Sequence, residues 1–359
     1  MRILLLPKYG PRGASSRYRI CQYVPLFERA GHEVEVQPLV DDGYLGDLYS
    51  KRRRGWRWLA AGYGRRLLEA FRFGRFDAIV CEQEMLPFLP AFVEVAMLRR
   101  KARFFLDYDD AAYANYARWP MLRGKIPRVM ATAETVVVGN THLAGYAQQF
   151  ARRVRVIPTV VDLAGYPNHR QIGNSDKVRV GWIGTPMTAH YVRALIPVME
   201  RLQRTHPKLN FRLIGAGNGF SCNGLRAEVA AWSRETESEL LMGCDIGIMP
   251  LPDTEFTRGK CGLKLIQYMA SGLPVVASPV GVNREIVEEG RNGYLASSEE
   301  EWFAKLDRLI RDAELRMNLG KAGREKVEGS YTLEHGFSKW QEILEDGGVR
   351  REVATVGDR

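Results

Sequence analysis

Short apolar runs, mostly of four to six residues, recur along the whole chain and alternate with longer segments of helical periodicity. Because most runs are apolar without alternation, they are typical of strands covered on both faces. Such strands, separated by crossover segments, predict parallel α/β sheets. In the first half the predicted strands are Arg2–Pro7, Val34–Pro38, Ala78–Glu82, Arg103–Tyr108, Thr135–Asn140 and Val154–Pro158. In the second half they are Val178–Gly184, Asn210–Gly215, Asp245–Pro250, Pro274–Ser278 and Gly293–Ala296.

The strand–helix pattern restarts at Val178, after a polar stretch rich in turn residues such as Gly165, Pro167 and Gly173. We therefore predict two Rossmann-like domains joined by a linker. The first domain is predicted over 1–162, the linker over 163–177 and the second domain over 178–330. We expect a helix over 331–346 to pack back on the first domain, and 347–359 to form a disordered tail.

The positive charge of the chain is concentrated in its first half. The 359 residues include 52 Lys+Arg and 42 Asp+Glu, a net charge of +10. Residues 1–170 hold 27 of the basic and 16 of the acidic residues, so this half carries +11 and the rest −1. A one-sided field attracts an anionic partner such as nucleic acid, phosphorylated lipid or a membrane surface. No nucleic-acid recognition motif accompanies the charge.

Cysteine usage and hydropathy predict a cytoplasmic protein. Five scattered cysteines without a C-x-x-C pair fit a reducing compartment better than a disulfide scaffold or zinc site. The apolar run at the N-terminus extends only from Ile3 to Leu6, shorter than the roughly 7 residues of a signal-peptide core. No run approaches the ~20 apolar residues of a membrane helix.

Residues 51–76 interleave arginines, among them Arg52, Arg53 and Arg54, with aromatic side chains. The pattern predicts one of two structures. One is an amphipathic helix lying in the interface of an anionic membrane. The other is a surface helix whose aromatic residues contact the core.

The segment from Arg258 to Ser278 combines a loop rich in Gly and Lys with a helix and a buried strand. The free N–H groups and positive dipole of a helix N-terminus suit a phosphate. Lys260 and Lys264 bracket the first turn and would add positive charge. The alternative is a solvated loop with two surface lysines.

Here the chain resembles the family 4 glycosyltransferases, which have the GT-B architecture of two Rossmann-like domains facing each other across a cleft. The family signature is a Glu, seven residues, a second Glu and then Ala-Met-Ala-x-Gly-x-Pro-Val-Val. This chain has Gly259 and Gln267 at the acidic positions, followed by Tyr268–Val276, which matches the signature from Met269 onward. The resemblance implies that the first position touches the donor sugar and the second the nucleotide ribose, which Gln267 can still hydrogen-bond.

Further segments resemble the family in the same order along the chain. Gly184–Tyr191 resembles the turn near the donor diphosphate, and Ile214–Asn218 resembles the strand end that packs on the nucleobase. The resemblance therefore implies a set of donor-binding residues in the second half. They are Gly184, Thr185, Gly215, Lys260, Gly262, Leu263, Lys264 and Gln267.

The turn Gly13–Arg19 follows the first strand and resembles the opening of the family's acceptor domain. Small residues allow a ligand to approach closely, and Arg17 and Arg19 have the charge to grip an anionic group. The alternative is an ordinary strand–helix turn. The candidate acceptor-binding residues are Gly13, Ser15, Ser16, Arg17, Arg19 and Asn140.

Asp107, Asp109 and Asp110 stand at the end of a predicted strand, where carboxylates must be solvated, paired or used. They are candidates to orient or deprotonate an acceptor hydroxyl, with helix capping as the alternative. Asp107-Tyr108-Asp109 also matches the metal-binding Asp-x-Asp of GT-A enzymes, but the two-domain pattern favours GT-B. We therefore assign Asp109, Asp110 and Lys264 as catalytic candidates and expect no metal or other cofactor.

The function implied by the resemblance is a retaining, hexosyltransferase-like glycosyltransferase. It would move sugar from a nucleoside-diphosphate donor to the hydroxyl of an anionic or lipid-linked acceptor. The setting would be cell-surface polysaccharide or glycolipid synthesis, with the protein cytoplasmic or peripheral on the inner membrane face. Two alternatives are a transferase for a soluble small-molecule acceptor and a degenerate, non-catalytic protein that binds nucleotide sugar.

Overall fold

The computed structural model describes residues 1–49, 55–98, 102–167, 177–217, 219–222 and 224–346. They form two compact units. The first contains Met1–Val160, Gly259–Cys261 and the chain from Leu333 onward, and the second contains Val161–Arg258 and Gly262–Thr332. Most of the predicted linker, the predicted tail and the arginines at 52–54 lie outside the described residues.

The sheet of the first unit has six parallel strands in the order β2-β1-β3-β4-β5-β6. Its strands are β1 (Arg2–Leu6), β2 (Glu33–Val36), β3 (Ala78–Glu82), β4 (Arg103–Tyr108), β5 (Thr135–Val138) and β6 (Val154–Val156). Seven α-helices of the first unit precede the second unit along the described chain. They are α1 (Ala14–Arg19), α2 (Val24–Arg29), α3 (Asp42–Tyr49), α4 (Gly55–Glu69), α5 (Ala91–Leu98), α6 (Lys125–Met130) and α7 (Thr141–Ala147).

The sheet of the second unit also has six parallel strands, in the order β12-β11-β10-β7-β8-β9. Its strands are β7 (Arg179–Ile183), β8 (Asn210–Ile214), β9 (Ala227–Ala230), β10 (Ile246–Met249), β11 (Val275–Ala277) and β12 (Gly293–Leu295). Its helices are α8 (Ala189–Arg193), α9 (Ile196–Thr205), α10 (Glu237–Met242), α11 (Glu255–Arg258), α12 (Leu263–Ala270), α13 (Asn283–Ile286), α14 (Glu299–Arg311) and α15 (Ala313–Ser330).

The final helix, α16 (Leu333–Glu345), belongs to the first unit. Its Trp340 and Leu344 are buried in the same cluster as Ile3 and Leu5 of β1. Leu4 and Leu6 of the same strand lie in a second cluster. Because successive side chains of a strand point to opposite faces, both faces of this sheet are covered.

The predicted α/β class with two parallel sheets is confirmed, and each of the eleven predicted strands is present, β3 and β4 with the predicted bounds and the others with shifted ends. The strand β9 was not predicted. It lies at the edge of its sheet and is only partly buried, so the sequence AEVA lacks the continuous apolar character of the inner strands. No helix in the described ranges is long and apolar enough to span a membrane.

Candidate functional site

The loop that enters α12 depends on the conformation of Gly262. This residue caps the helix with φ at +69°, and a Cβ atom there would lie 2.2 Å from Cδ1 of Ile286. Both facts require glycine. Leu263 is the first residue of the helix, and Gly262 has no side chain to cap it. The first turn of α12 therefore offers backbone N–H groups and a positive dipole suited to an anion.

Lys264 lies in this first turn, and Trp182 at the end of β7 connects it to Gly184. The Lys264 ammonium is 5.9 Å from the centre of the Trp182 ring. The far edge of that ring fills the space beside Gly184, where a Cβ atom would lie 2.3 Å from it. Trp182 is itself 1% exposed. The fold thus brings together Lys264 and the Gly184 turn, two parts of the predicted donor site.

Gly215 follows β8 and packs directly on the Gly184 turn. Its φ is +74°, and a Cβ atom would lie 2.3 Å from the carbonyl oxygen of Gly184. Within the turn, the Thr185 amide donates to Oγ1 of Thr188 over 3.0 Å. The two predicted glycine-rich turns are therefore adjacent, with little side-chain bulk between them. Asn218, the last residue of the second turn, lies outside the described residues.

Gln267 occupies the second acidic position of the family signature and is 3% exposed. Its Nε2 donates to the hydroxyl of Tyr166 over 3.3 Å, and that hydroxyl donates to Glu237 over 3.3 Å. Glu237 also accepts from the indole nitrogen of Trp232 at 2.6 Å. The Cβ of Trp232 is 3.2 Å from the Cβ position of Gly215. Within the second unit, hydrogen bonds therefore join Gln267 to Trp232, and Trp232 packs beside Gly215.

Lys260 is placed in the first unit, where it forms an ion pair with Asp110. Its ammonium lies 2.8 Å from Oδ1 of Asp110, with the side chains 18% and 28% exposed. Burial raises the pKa of Asp110, and the Lys260 charge opposes that increase. Both residues were predicted to act in the site. In the structure they pair with each other, so the charge of each is partly neutralised before any ligand binds.

Gly259 occupies the first acidic position of the family signature. A Cβ atom there would lie 2.7 Å from both the nitrogen and the Cβ of Ala111, in the same unit. That separation is shorter than side-chain atoms tolerate. The close contact with Ala111 therefore leaves no room for the Glu side chain that the family has at this position.

Asn140 is a structural residue in this fold, which corrects its assignment to the acceptor site. Its Oδ1 accepts from the Leu143 amide at 2.8 Å and caps α7. Its Nδ2 donates to the carbonyl oxygens of Gly259 at 2.9 Å and Lys260 at 3.1 Å. The side chain is 2% exposed, so both ends of the amide are used by the protein itself.

The turn after β1 is held by a buried carboxylate, Glu82, at the end of β3. Ser15 donates to Glu82 over 2.5 Å, and Ser16 donates to its other oxygen. The Lys8 amide donates to the same carboxylate over 2.8 Å. Gly13 begins the turn, and a Cβ atom there would collide with Tyr9. The two predicted serines are therefore engaged with Glu82, which fixes the backbone around them.

Burial raises the pKa of Glu82 to about 7, and the neighbouring Asp109 carboxylate raises it as well. Gln83, which follows with φ at +58°, donates to Oδ1 of Asp109 over 3.0 Å. Positive φ is uncommon for a residue with a side chain. The ends of β3 and β4 thus place two carboxyl groups and one amide together at the carboxyl edge of the first sheet.

Arg19 does not have the role that was expected of it. Its guanidinium binds both oxygens of Asp107, at 2.8 and 2.5 Å, and donates to the carbonyl of Ile157 at 2.7 Å. Arg19 is 2% exposed and Asp107 is fully buried. A buried bidentate pair of this kind is committed to the fold, so the geometry does not support Arg19 as a grip for an anionic ligand.

Arg17 is also buried, at 7% exposure. Its guanidinium carbon lies 4.6 Å from the centre of the Tyr18 ring, in a cation–π contact. The role of Arg17 in gripping an anionic group stays a prediction. The other predicted charged residues at this edge of the sheet are Asp109 and the Asp110–Lys260 pair.

Sequence reasoning missed three residues of the second unit that bear on the site, namely Tyr166, Trp232 and Glu237. They come from the segment after β6, the segment after β9 and the start of α10. Separations of 71 residues between Tyr166 and Glu237 and 101 between Tyr166 and Gln267 leave no local pattern to detect. Among the described residues, no group of three or more His, Cys, Asp and Glu side chains could hold a metal ion.

Known structures place this architecture in the GT-B class of glycosyltransferase folds. Sucrose-phosphate synthase from Thermosynechococcus elongatus aligns with a TM-score of 0.71 and 16% identity, over 98% of this chain and 100% of that chain. The Anabaena protein HepE, solved in complex with UDP and glucose, aligns with a TM-score of 0.67 and 18% identity, over 96% and 100%. At these identities the likeness concerns the fold.

The sequence of the second unit is similar to one particular family. Residues 177–312 match the family Glycosyl transferases group 1. The resemblance described from the sequence is therefore confirmed. D-inositol 3-phosphate glycosyltransferase from Segniliparus rotundus is 25% identical over 215 residues, which are 52% of this chain and 47% of that protein. The alignments span less than half the length of each curated relative matched.

Proposed function

We propose that this protein is a glycosyltransferase that uses a nucleoside-diphosphate sugar. The observation that carries the proposal is the family match over residues 177–312, which coincides with the grouped Gly184, Gly215 and α12 elements. HepE, which shares the fold, was solved with UDP and glucose. Transfer would proceed with retention of configuration, as the family resemblance implies, to an acceptor hydroxyl.

In this proposal the second unit binds the donor. The first-turn amides of α12 and the Lys264 ammonium face the diphosphate, where negative charge grows as the glycosidic bond breaks. Charge that is positioned in advance stabilises such a leaving group without a metal ion. Gln267 binds the ribose hydroxyls. The donor can approach the main chain closely at Gly184 and Gly215, because these two residues carry no side chains.

The first unit would bind the acceptor at the carboxyl edge of its sheet, where open α/β sheets bind ligands. Asp109 is the candidate to orient the acceptor hydroxyl, with its carboxylate held by Gln83. Asp110 and Lys260 would act as a pair rather than as independent charges. Glu82 would act indirectly, by fixing the Ser15–Ser16 turn.

We further propose an anionic or lipid-linked acceptor, handled at the inner face of a membrane during polysaccharide or glycolipid synthesis. The support is the +11 balance of residues 1–170, compared with −1 for the rest. A positive field raises the local concentration of anionic substrates and surfaces. The competing possibility of a soluble small-molecule acceptor predicts that transfer is unchanged when vesicles are omitted.

One observation favours a second candidate function, which is nucleotide-sugar binding without turnover. Gly259 stands where the family has a sugar-contacting Glu, and its packing on Ala111 leaves no space for a carboxylate. A protein that has lost this contact can retain donor affinity through Lys264 and Gln267. It would then act as a binding module for its ligand.

The proposal is tested in two steps. A thermal-shift screen with UDP, GDP, ADP and their sugars identifies the nucleotide, since a ligand at 100 times its Kd stabilises by ~2.7 kcal/mol. The identified donor, labelled in its sugar, is then incubated with lipid extract or with soluble acceptors. Label moved to an acceptor supports the enzyme. Stabilisation without transfer or hydrolysis supports the binding protein, and absence of any stabilisation contradicts both.

A further inference from the structure

Helix α4 and the 3-10 helix that follows it, Ala70–Arg75, carry large apolar side chains on their outer surface. Trp56 is 67% exposed, Leu68 69% and Phe71 72%, and Leu67 is 43% exposed. We call these four residues, together with the exposed Arg57, Arg65 and Arg75, the α4 face. Grouped exposed apolar residues of this size mark an interaction surface.

The inner side of α4 is fixed, so the apolar residues of the α4 face cannot turn into the core. The indole nitrogen of Trp58 donates to Asp47 over 3.0 Å. A Cβ atom on Gly62 would lie 2.1 Å from the carbonyl oxygen of Leu39. The guanidinium of Arg66 is buried and donates to the carbonyl of Pro7 over 2.6 Å.

The exposed charges of this segment are all positive. Between 55 and 76 the single acidic residue is Glu69, which is 5% exposed. Glu69 accepts hydrogen bonds from Arg72 at 2.9 Å and Gln37 at 2.8 Å. The α4 face therefore presents arginines beside Trp, Leu and Phe, with no exposed carboxylate among them.

A second group of exposed apolar side chains is linked to α4 through Tyr63. Tyr63 of α4 donates a hydrogen bond to the carbonyl of Pro87. The next residue, Phe88, is 58% exposed and its ring centre lies 5.4 Å from that of Tyr116. Beyond Tyr116 the chain exposes Trp119 by 58% and Met121 by 93%, flanked by Arg118 and Arg123.

We propose that the α4 face docks on the surface of an anionic lipid bilayer. Trp56, Leu67, Leu68 and Phe71 would enter the boundary between head groups and acyl chains, while Arg57, Arg65 and Arg75 bind lipid phosphates. An apolar and basic helix surface is the combination that interfacial binding requires, since apolar area and attraction to anionic lipid both contribute. A nucleic acid would be attracted by the arginines alone.

This inference deepens the proposed function and rests on its membrane setting, but docking requires no turnover and is measured without it. The full chain is sedimented with phosphatidylcholine vesicles, either pure or containing roughly one third phosphatidylglycerol. The wild type should bind the anionic vesicles much more tightly, and high salt should weaken that binding because surface charge is screened.

Two double variants separate the charged and apolar contributions. Arg57→Ser with Arg75→Ser should weaken binding to anionic vesicles by roughly 25-fold, about fivefold per arginine. Leu68→Ser with Phe71→Ser should weaken it at least about tenfold, through lost apolar burial. The matched control is Met317→Ser with Lys321→Ser on α15, where the Met317 residue is 47% exposed and the Lys321 side chain is 80% exposed. It should bind as the wild type does.

Circular dichroism and gel filtration establish that each variant is folded. Equal binding of the wild type to neutral and anionic vesicles would overturn the proposal. So would wild-type binding by the Leu68 and Phe71 variant combined with loss in the arginine variant, because the surface would then recognise polyanions in general. Transfer activity can fail in any of these proteins without altering either readout.

Discussion

Gly259 and Ala111 are in backbone contact: a Cβ atom placed on Gly259 would lie 2.7 Å from the Ala111 nitrogen. Asn140 reinforces this contact by donating to the carbonyl oxygen of Gly259 over 2.9 Å. The segment Gly259–Cys261 is thereby held in the first unit, although its neighbours on both sides in the chain belong to the second. Packing against Ala111 therefore requires glycine at position 259, whatever role the residue has in binding a ligand.

Gly259→Ala should destabilise the protein by about 1–3 kcal/mol, because the added methyl group forces a backbone shift. Gly145→Ala is the control, since that glycine of α7 has no atom within 4 Å of its Cβ position. The control should be neutral or stabilising by up to about 1 kcal/mol. Urea unfolding measures both, and equal stability of the two variants would contradict the packing argument.

Lys264→Ala should lower kcat/KM at least about tenfold, with much of the loss in kcat. A hydrogen bond to a charged group is worth roughly 1.5–3 kcal/mol, and it matters most when charge develops on the leaving diphosphate. Lys260→Ala should have the same or a smaller effect, because Lys260 already binds Asp110. Lys321→Ala on α15 is the control. Wild-type kinetics in both folded variants would exclude this loop as the phosphate site.

Gln267→Ala should mainly raise the KM for the donor, because ribose contacts change little between ground state and transition state. Tyr166→Phe is the matched variant, since it removes the hydroxyl that accepts from Gln267 and keeps the ring. It should raise the donor KM less than Gln267→Ala does. A fall in kcat with KM unchanged would assign Gln267 to the chemical step instead.

Glu82→Gln should change how stability depends on pH. The pKa of Glu82 is raised from 4.5 to about 7 in the folded protein, so the folded state retains a proton that the unfolded chain releases. The protonated carboxyl contributes about 3 kcal/mol of stability, which is fully present below about pH 4.5 and is lost as the pH rises through about 7. The Glu82→Gln variant should not lose stability in this way, because the glutamine side chain does not titrate.

Urea unfolding at a series of pH values between 4.5 and 8 checks this prediction. The stability of the wild type relative to Glu82→Gln should fall across that range. Glu33→Gln serves as the control, because the Glu33 side chain is 70% exposed, and its curve should run parallel to that of the wild type. A parallel curve for Glu82→Gln as well would show that Glu82 does not titrate in this range.

Turnover should persist in excess EDTA. The proposed stabilisation of the diphosphate uses Lys264 and the amides of α12, which require no cation. Initial rates are compared with and without chelator and after addition of Mg²⁺ or Mn²⁺. Activity that disappears in EDTA and returns with either ion would make Asp109 a metal-ligand candidate and would require another mechanism.

The fold could be predicted far better than the site because its signal is local. A run such as Ile3–Leu6 needs cover on both faces wherever it lies, and the Gly-rich loop before Leu263 marks a helix start in the sequence itself. The edge strand β9 was not predicted, because its AEVA sequence is only partly buried. Edge strands lack the two-sided packing that produces a clear pattern.

The structure brings Gly184, Gly215 and Lys264 together in the second unit, since their positions follow the strand ends. Their role in binding a donor stays a prediction. Arg19 was predicted to bind a ligand because no sequence pattern indicates that it pairs with Asp107, which lies 88 residues away in the chain. Such pairings are decided by tertiary packing, which the identity of an arginine does not reveal.

Helix α16 has a consequence for the order in which the protein can be assembled. Trp340, Ile343 and Leu344 complete the core around Ile3 and Phe27, yet the ribosome makes them after the whole second unit. Until α16 is made, the part of this sheet face that Trp340, Ile343 and Leu344 cover therefore remains exposed. A chain ended after Thr332 should keep that apolar side exposed permanently and bind a hydrophobic dye that the full chain excludes.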